Sequence, residues 1–143
     1  TVNAIYDWDN YSTYYHKDLL GANNNIIISS PVISGQKVYE LINMLKEKQV
    51  SGVQITIVTW TPDSYGFGDA AYWMQLHEDM CKAGFYIKTV EESCERFAVI
   101  DQEVVWYGNI NLLAKTKVDD SIMRVLSNEI AGELMEITFG DNS

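Results

Sequence analysis

The segment IIISSPVIS, residues 26–34, places the strongest constraint on how this chain can fold. Its continuous apolar run predicts a β-strand covered on both faces, because a strand with one face in water alternates apolar and polar residues. The segment VQITIVTW, residues 53–60, predicts the next strand. Strands of this kind require layers of helix on either side of the sheet.

Four segments carry the spacing of apolar residues that predicts amphipathic helices. They cover residues 7–20, 38–51, 73–83 and 129–136. The first helix is expected to be capped by Asp7 or Asp9, and the last by Asn128. Gly84 stands where a glycine is expected just beyond the third helix.

Short apolar segments in the second half of the chain predict further strands. They are FYIKTV (85–90), RFAVI (96–100), EVVWYG (103–108) and SIMRVLS (121–127), while TPDSYGFG (61–68) predicts a loop. Helix-linked strands followed by hairpin-like strands predict an α/β fold, with a mixed β-sheet flanked by helices on both faces. With no repeat or linker visible, residues 1–143 are expected to form a single domain. Because the chain begins with Thr rather than Met, we interpret it as a fragment of a larger protein, although processing or a removed tag would look the same.

Charge and cysteine usage exclude several classes of function. The net charge of -10 argues against tight nucleic-acid binding, which depends on Lys and Arg neutralising phosphates. The apolar runs are far shorter than the roughly 20 residues that cross a membrane, so no membrane partner is expected.

Cys81 and Cys94 form no CxxC pair and are interpreted as free thiols of a cytoplasmic protein. With His16 and His77 they lack zinc-site spacing, and no metal or cofactor is expected.

The segment CERFAVIDQEVVWYGNIN, residues 94–111, holds two apolar strands. The first ends in Asp101, and Gly108-Asn109-Ile110-Asn111 closes the second. The run from Ile26 to Phe139 resembles the phospholipase D superfamily domain in its small, one-motif, nuclease-like form. Members of that family carry His-x-Lys-x4-Asp, then six residues, then Gly-Ser-x-Asn. The spacing of this segment matches that pattern in full.

Three residues depart from the pattern. Cys94 stands at the histidine position, Arg96 at the lysine position and Asn109 at the serine position. In the family, one histidine attacks phosphorus while another, often from a second subunit, protonates the leaving oxygen. Neither Cys nor Arg combines both roles near neutral pH, so the resemblance implies a degenerate motif that keeps anion binding better than catalysis.

The candidate catalytic residues are Cys94 and Asp101, and both have simpler interpretations. Cys94 is a thiolate nucleophile only if Arg96 shares its strand face and outweighs Glu95 and its acidic neighbours. Otherwise it is a structural thiol. Asp101 is more consistent with a structural role, orienting backbone or Arg96.

The candidate phosphate-binding residues are Arg96, Asn109 and Asn111. Arg96 alternatively forms an ion pair with an acid such as Asp101 or Asp120, and the two asparagines alternatively form a turn. His16 and His77 lie in the first and third predicted helices, and nothing in the sequence places either one near Cys94.

Three functions follow from this pattern. The resemblance implies a degenerate nuclease-like domain appended to a helicase-type protein, where it forms a homodimer or binds nucleic acid weakly. The alternative is a metal-independent phosphodiesterase that acts on nucleic acid with altered catalytic residues. The third is a protein-interaction module without phosphate affinity.

Overall fold

A computed structural model describes residues 4–62 and 70–140. Most of the predicted loop TPDSYGFG lies outside the described residues. The elements in chain order are β1 (Ala4–Asp7), α1 (Tyr11–Leu20), β2 (Asn25–Ser29), α2 (Gly35–Val50), β3 (Gln54–Trp60), α3 (Ala70–Lys82), β4 (Tyr86–Val90), β5 (Phe97–Ile100), β6 (Val104–Gly108), β7 (Ser121–Leu126) and α4 (Asn128–Phe139). None of these helices combines the length and apolar content that crossing a membrane requires.

The strands form one sheet in the order β1-β7-β6-β5-β2-β3-β4. β2 pairs in parallel with β3 and antiparallel with β5, so it joins the parallel part of the sheet to the antiparallel part. β4 extends the parallel part, while β6, β7 and β1 extend the antiparallel part. The predicted mixed sheet is therefore confirmed.

The apolar run of β2 is buried from both sides. Ile26 and Ile28 belong to the core that α1, α2 and α3 share with the sheet, whereas Ile27 belongs to a second core beneath α4. This division follows from the alternation of side chains along a strand. The expectation of helices on both faces is confirmed.

The first helix begins later than its pattern predicted. Residues 4–7 form β1, which pairs with β7, and the helix starts at Tyr11 with Asn10 at its N-cap. The Asp7 carboxylate accepts hydrogen bonds from the backbone N–H groups of Asp9 and Asn10, at 2.8 and 2.9 Å. Asp7 therefore shapes the turn before the helix, and the predicted cap by Asp7 or Asp9 is wrong.

The caps of the other helices were predicted with mixed success. Ser127, not Asn128, caps α4, because its hydroxyl accepts the Ile130 N–H at 3.0 Å. Asn128 instead donates its side-chain amide to the carbonyl of Gln102. Gly84 follows α3 as expected, with a φ of 90° that favours glycine.

Asp101 connects the end of β5 to the start of β2. Its carboxylate accepts hydrogen bonds from the backbone N–H groups of Asn23, Asn24 and Asn25, at 3.0, 2.7 and 3.1 Å. Its own N–H donates to the carbonyl of Asn25 at 2.8 Å. These charge-assisted bonds satisfy three amides at the point where β2 enters the core. The carboxylate thus fixes the register between β2 and β5.

Gly108 permits a close approach between β6 and β7. A Cβ at this position would lie 2.4 Å from the Ser121 carbonyl oxygen and 2.6 Å from the Ile122 Cα. Both contacts are to backbone, so no side-chain rotation relieves them. Any other residue here would push β6 and β7 apart next to residues 109–111.

We expect Asp101→Asn to lower the free energy of unfolding by about 2 kcal/mol, because the neutral amide loses the charge-assisted bonds to residues 23–25. Urea denaturation at neutral pH measures the change. The matched control is Asp119→Asn, at an exposed position whose φ of 80° is positive, as is the φ of 55° at Asp101. The control should change stability by less than about 0.5 kcal/mol. Equal losses in the two variants would contradict the assigned role of Asp101.

We expect Gly108→Ala to destabilise the fold by about 2 kcal/mol, because the added methyl group overlaps the β7 backbone. In contrast, a Cβ at Gly132 in α4 meets nothing within 4 Å. Gly132→Ala should therefore stabilise the chain by up to about 1 kcal/mol, through helix propensity. Thermal and urea denaturation of both variants checks the opposite signs. A neutral Gly108→Ala would contradict the close approach.

Candidate phosphate-binding site

The two halves of the sequence motif meet at one edge of the sheet. Ser29, at the carboxyl end of β2, lies opposite Phe97 at the start of β5, and Phe97 lies opposite Tyr107 near the end of β6. The residues just before β5 and just after β6 therefore share this edge. We call it the carboxyl edge, after the carboxyl ends of β2 and β3.

Arg96 and Asn111 contact each other at the carboxyl edge. The Arg96 Nε–H donates to the Asn111 Oδ1 at 3.1 Å, and both residues are half-buried. This bond fixes the plane of the guanidinium group. Two of the five predicted site residues are thereby brought together.

Arg96 makes no ion pair with any carboxylate in residues 4–62 and 70–140. The Asp101 carboxylate is engaged with residues 23–25, and the Asp120 carboxylate accepts the backbone N–H of Lys117 at 3.0 Å. Arg96 therefore does not form the alternative ion pair with Asp101 or Asp120. Within the described part of the chain, the terminal guanidinium nitrogens also have no hydrogen-bond acceptor.

Asp101 lies away from this pair. Four strand residues separate it from Arg96, which corresponds to roughly 16 Å along an extended chain. The structure does not bring the Asp101 carboxylate to the carboxyl edge, where a phosphate contacting Arg96 would lie. Its observed contacts correspond to the structural interpretation, in which it orients backbone.

Asn109 extends the pairing of β6 with β7. Its side-chain Oδ1 accepts the Ser121 N–H at 2.8 Å, and its own N–H donates to the Ser121 carbonyl at 3.1 Å. The amide oxygen of Asn109 is thus engaged with backbone. Its amide nitrogen is the group that is left to contact a phosphate.

Cys94 lies beside β2 and packs against the core beneath α4. Its Sγ is 3.5 Å from the Ser29 Oγ, and both residues line a cavity of about 260 Å³ together with Lys88 and Glu95. Burial raises the pKa of the Cys94 thiol, and Glu95 adds to the increase, while the Ser29 hydroxyl and Arg96 oppose it. The thiol is consequently protonated at neutral pH, which is the unreactive form.

A carboxylate also lies at this edge. Glu95 is exposed, and its Oε1 accepts the Tyr107 hydroxyl at 2.6 Å. This hydrogen bond raises the pKa of Tyr107. Because Glu95 is adjacent to Arg96 in the chain, it reduces the positive potential that an approaching polyanion meets.

Two serines that the sequence analysis passed over hold the edge together. The Ser29 hydroxyl donates to the Glu95 carbonyl at 2.6 Å. The Ser30 hydroxyl donates to the Val32 carbonyl at 2.7 Å and accepts the Leu113 N–H at 3.2 Å. They link the end of β2 to Glu95, within the motif, and to Leu113, two residues beyond it. The sequence signal that could have identified them is the pair of consecutive hydroxyl residues at the end of an apolar run.

The histidines lie elsewhere. His16 is in α1, and His77 is in α3, and burial lowers the pKa of each. Neither makes a described contact with Cys94 or Arg96. In the part of the chain that the structure describes, no three His, Cys, Asp or Glu side chains are placed to hold a metal ion.

Comparison with known proteins finds similarity at the level of structure. No protein-family model and no curated protein matches the sequence. The phospholipase D family member Nuc from Salmonella typhimurium superposes with a TM-score of 0.68 at 12% identity, over 94% of this chain and 90% of Nuc. NucT from Helicobacter pylori gives 0.67 at 11% identity, over 94% and 91%.

A third similar structure is TrmBL2, described as an archaeal chromatin protein with a novel mode of DNA binding. It superposes with a TM-score of 0.66 at 12% identity, over 96% of this chain and 50% of TrmBL2. Identities this low establish the architecture alone. Together with the sheet order and the helices on both faces, these likenesses show that the chain has a phospholipase D-like fold.

Proposed function

We propose that this chain is a catalytically degenerate phospholipase D-like domain that binds phosphate groups of nucleic acid weakly, through Arg96 and Asn111. The observation that carries the proposal is the Arg96 guanidinium, which Asn111 holds in place and which no described carboxylate neutralises. An arginine fixed in this way is ready to receive an anion.

The chemistry of arginine supports phosphate as the ligand. A guanidinium group offers five N–H donors in one plane, and the bond to Asn111 uses the Nε donor. The terminal nitrogens suit the oxygens of a phosphate, and a charge-assisted bond is stronger where both partners are partly shielded from water. Asn109 supplies an amide nitrogen on the same segment.

The surroundings of Cys94 argue against catalysis. A nucleophile of this family must attack phosphorus, and the raised pKa of Cys94 leaves its thiol protonated at neutral pH. No described histidine contacts Cys94 or Arg96 to act as the proton donor for the leaving oxygen. The site therefore retains an anion ligand without the groups that break a phosphodiester bond.

Charge and similarity support weak nucleic-acid binding as the biological setting. The net charge of -10 and the adjacent Glu95 limit attraction to a polyanion. TrmBL2, an archaeal chromatin protein described as binding DNA, has a similar fold in half of its chain, which supports nucleic acid as the ligand. We further propose that the chain is a single domain that forms a homodimer. In this proposal it is appended to a larger helicase-type protein of the cytoplasm.

We expect Arg96→Ala to weaken binding of dimethyl phosphate about tenfold, because one charge-assisted contact contributes about 1.5 kcal/mol. NMR chemical-shift titration measures the affinity, and single-stranded DNA serves as a second ligand. The control is Lys46→Ala, which removes the same charge from an exposed position of α2. The control should bind both ligands like the parent chain.

Two outcomes would contradict the proposal. Equal affinity of the parent chain and Arg96→Ala would show that no phosphate site exists at Arg96, and would favour the protein-interaction module. Turnover of a chromogenic phosphodiester in the presence of EDTA, abolished by Arg96→Ala, would instead establish an active enzyme.

We expect iodoacetamide at neutral pH to modify the exposed Cys81 before Cys94. The Cys94 thiol is half-buried, and its raised pKa keeps it protonated until the pH exceeds the ordinary thiol range. Mass spectrometry of tryptic peptides distinguishes the two sites, and Cys81→Ser isolates the pH profile of Cys94. Rapid modification of Cys94 at neutral pH would reveal an activated thiolate and support the enzymatic alternative.

A further inference from the structure

The end of the sheet opposite Arg96 carries a separate surface depression. A groove of about 570 Å³ lies between α1 and the strands, and Tyr6, Tyr14, Lys17, Asp101 and Glu103 are among its lining residues. Its volume falls in the range that accommodates a small ligand or a few residues of a peptide. None of its lining residues belongs to the Arg96–Asn111 pair, so it is independent of the proposed phosphate site.

One wall of the groove is an aromatic stack. The ring of Tyr14 stacks on Tyr6 with centroids 4.8 Å apart, and Tyr6 stacks on the buried Trp106 at 5.3 Å. The Trp106 indole donates to the Asp18 carboxylate at 2.8 Å, which fixes the innermost ring. Tyr14 remains 48% exposed, so part of the outermost ring is open to the groove. The stack is a supported platform for another planar group.

The floor of the groove is a neutral pair. The Arg124 guanidinium donates two hydrogen bonds to the Asp18 carboxylate, at 2.6 and 3.0 Å, and both side chains are largely shielded from water. Their charges cancel within the pair. The remaining charged groups decide which ligand the groove attracts.

Those remaining charges are net negative. Lys17 contributes one positive charge, whereas Asp101 and Glu103 contribute two negative charges. The Asp101 carboxylate is engaged with backbone amides. The Glu103 carboxylate accepts no hydrogen bond from any residue in 4–62 or 70–140, and Glu103 is exposed. A cation therefore has an available partner in Glu103, whereas a phosphate would meet one lysine, Lys17, beside two carboxylates.

We infer that this groove binds an arginine-bearing peptide segment of a partner protein, with the guanidinium stacked on Tyr14 and paired with Glu103. Arginine satisfies both features, because its planar cation stacks on aromatic rings and forms hydrogen-bonded pairs with carboxylates. Lysine offers charge without the planar face. A nucleobase would stack on Tyr14, but its phosphate would meet two carboxylates in a chain of net charge -10.

The test is fluorescence anisotropy with a labelled peptide of alternating glycine and arginine, added to the 143-residue chain. Binding should weaken about fivefold in Glu103→Gln, which removes the carboxylate with little change of shape. Tyr14→Leu should weaken it about threefold by removing the aromatic face. Glu133→Gln, at an exposed position of α4 on the other face of the sheet, changes the net charge equally and should have no effect.

The remaining arms separate the alternatives. The corresponding lysine peptide should bind more weakly than the arginine peptide, and Arg96→Ala should bind the arginine peptide like the parent chain. Equal weakening by Glu103→Gln and Glu133→Gln would overturn the inference, since it would indicate attraction to the overall negative charge. Absence of peptide binding at millimolar concentration would overturn it as well. Binding of a thymidine oligonucleotide that Tyr14→Leu abolishes would assign the groove to nucleic acid instead.

Discussion

The burial of β2 on both faces is the constraint from which the remaining structure follows. A strand with Ile26, Ile27 and Ile28 in sequence has no side to present to water, so helices must cover both faces of the sheet. Its ends must also be anchored, because a buried strand carries its backbone polar groups out of water. Asp101 satisfies the amides where β2 begins, and Ser30 bonds the segments that surround its end. Asp101 belongs to the segment that carries the candidate site residues. Ser30 is adjacent to Ser29, which contacts Cys94.

The architecture of the sheet does not depend on the residue at position 94. Asp101 and Gly108 serve the sheet, one by satisfying backbone amides and the other by allowing β6 to approach β7. Neither role depends on a histidine at position 94. With Cys94 packed against the core beneath α4, Arg96 and Asn111 still meet at the carboxyl edge. In the proposed function, the anion ligands Arg96 and Asn111 are separate from Cys94, although Arg96 differs from the family pattern as Cys94 does.

Elements that depend on local interactions were predictable from the sequence, whereas those that depend on distant residues were not. Helices α2 and α3 and the strands of the sheet centre were predictable, because apolar periodicity and glycine signals are local. Strand β1 was missed, since four residues carry little pattern and its pairing partner β7 lies at the far end of the chain. The cap of α4 was misplaced by one residue, because Ser127 and Asn128 are both good capping residues. Only the extended backbone conformation of Ser127 distinguishes it as the cap.

Local sequence patterns were enough to predict the mixed α/β class and the hairpin-like strands on either side of residue 101, and two antiparallel strands joined by a short turn bring their outer ends together. Tertiary structure alone decided which partner each side chain takes. Asp101 bonds to Asn25, which lies 76 positions away, and Cys94 meets Ser29, which lies 65 positions away. It also assembled the groove from Tyr14, Glu103 and their neighbours. The physical reason is that the periodicity of apolar residues indicates which face of an element a residue occupies. Hydrogen bonds, burial and charge pairing depend instead on residues that are distant in the sequence and meet only when the chain folds.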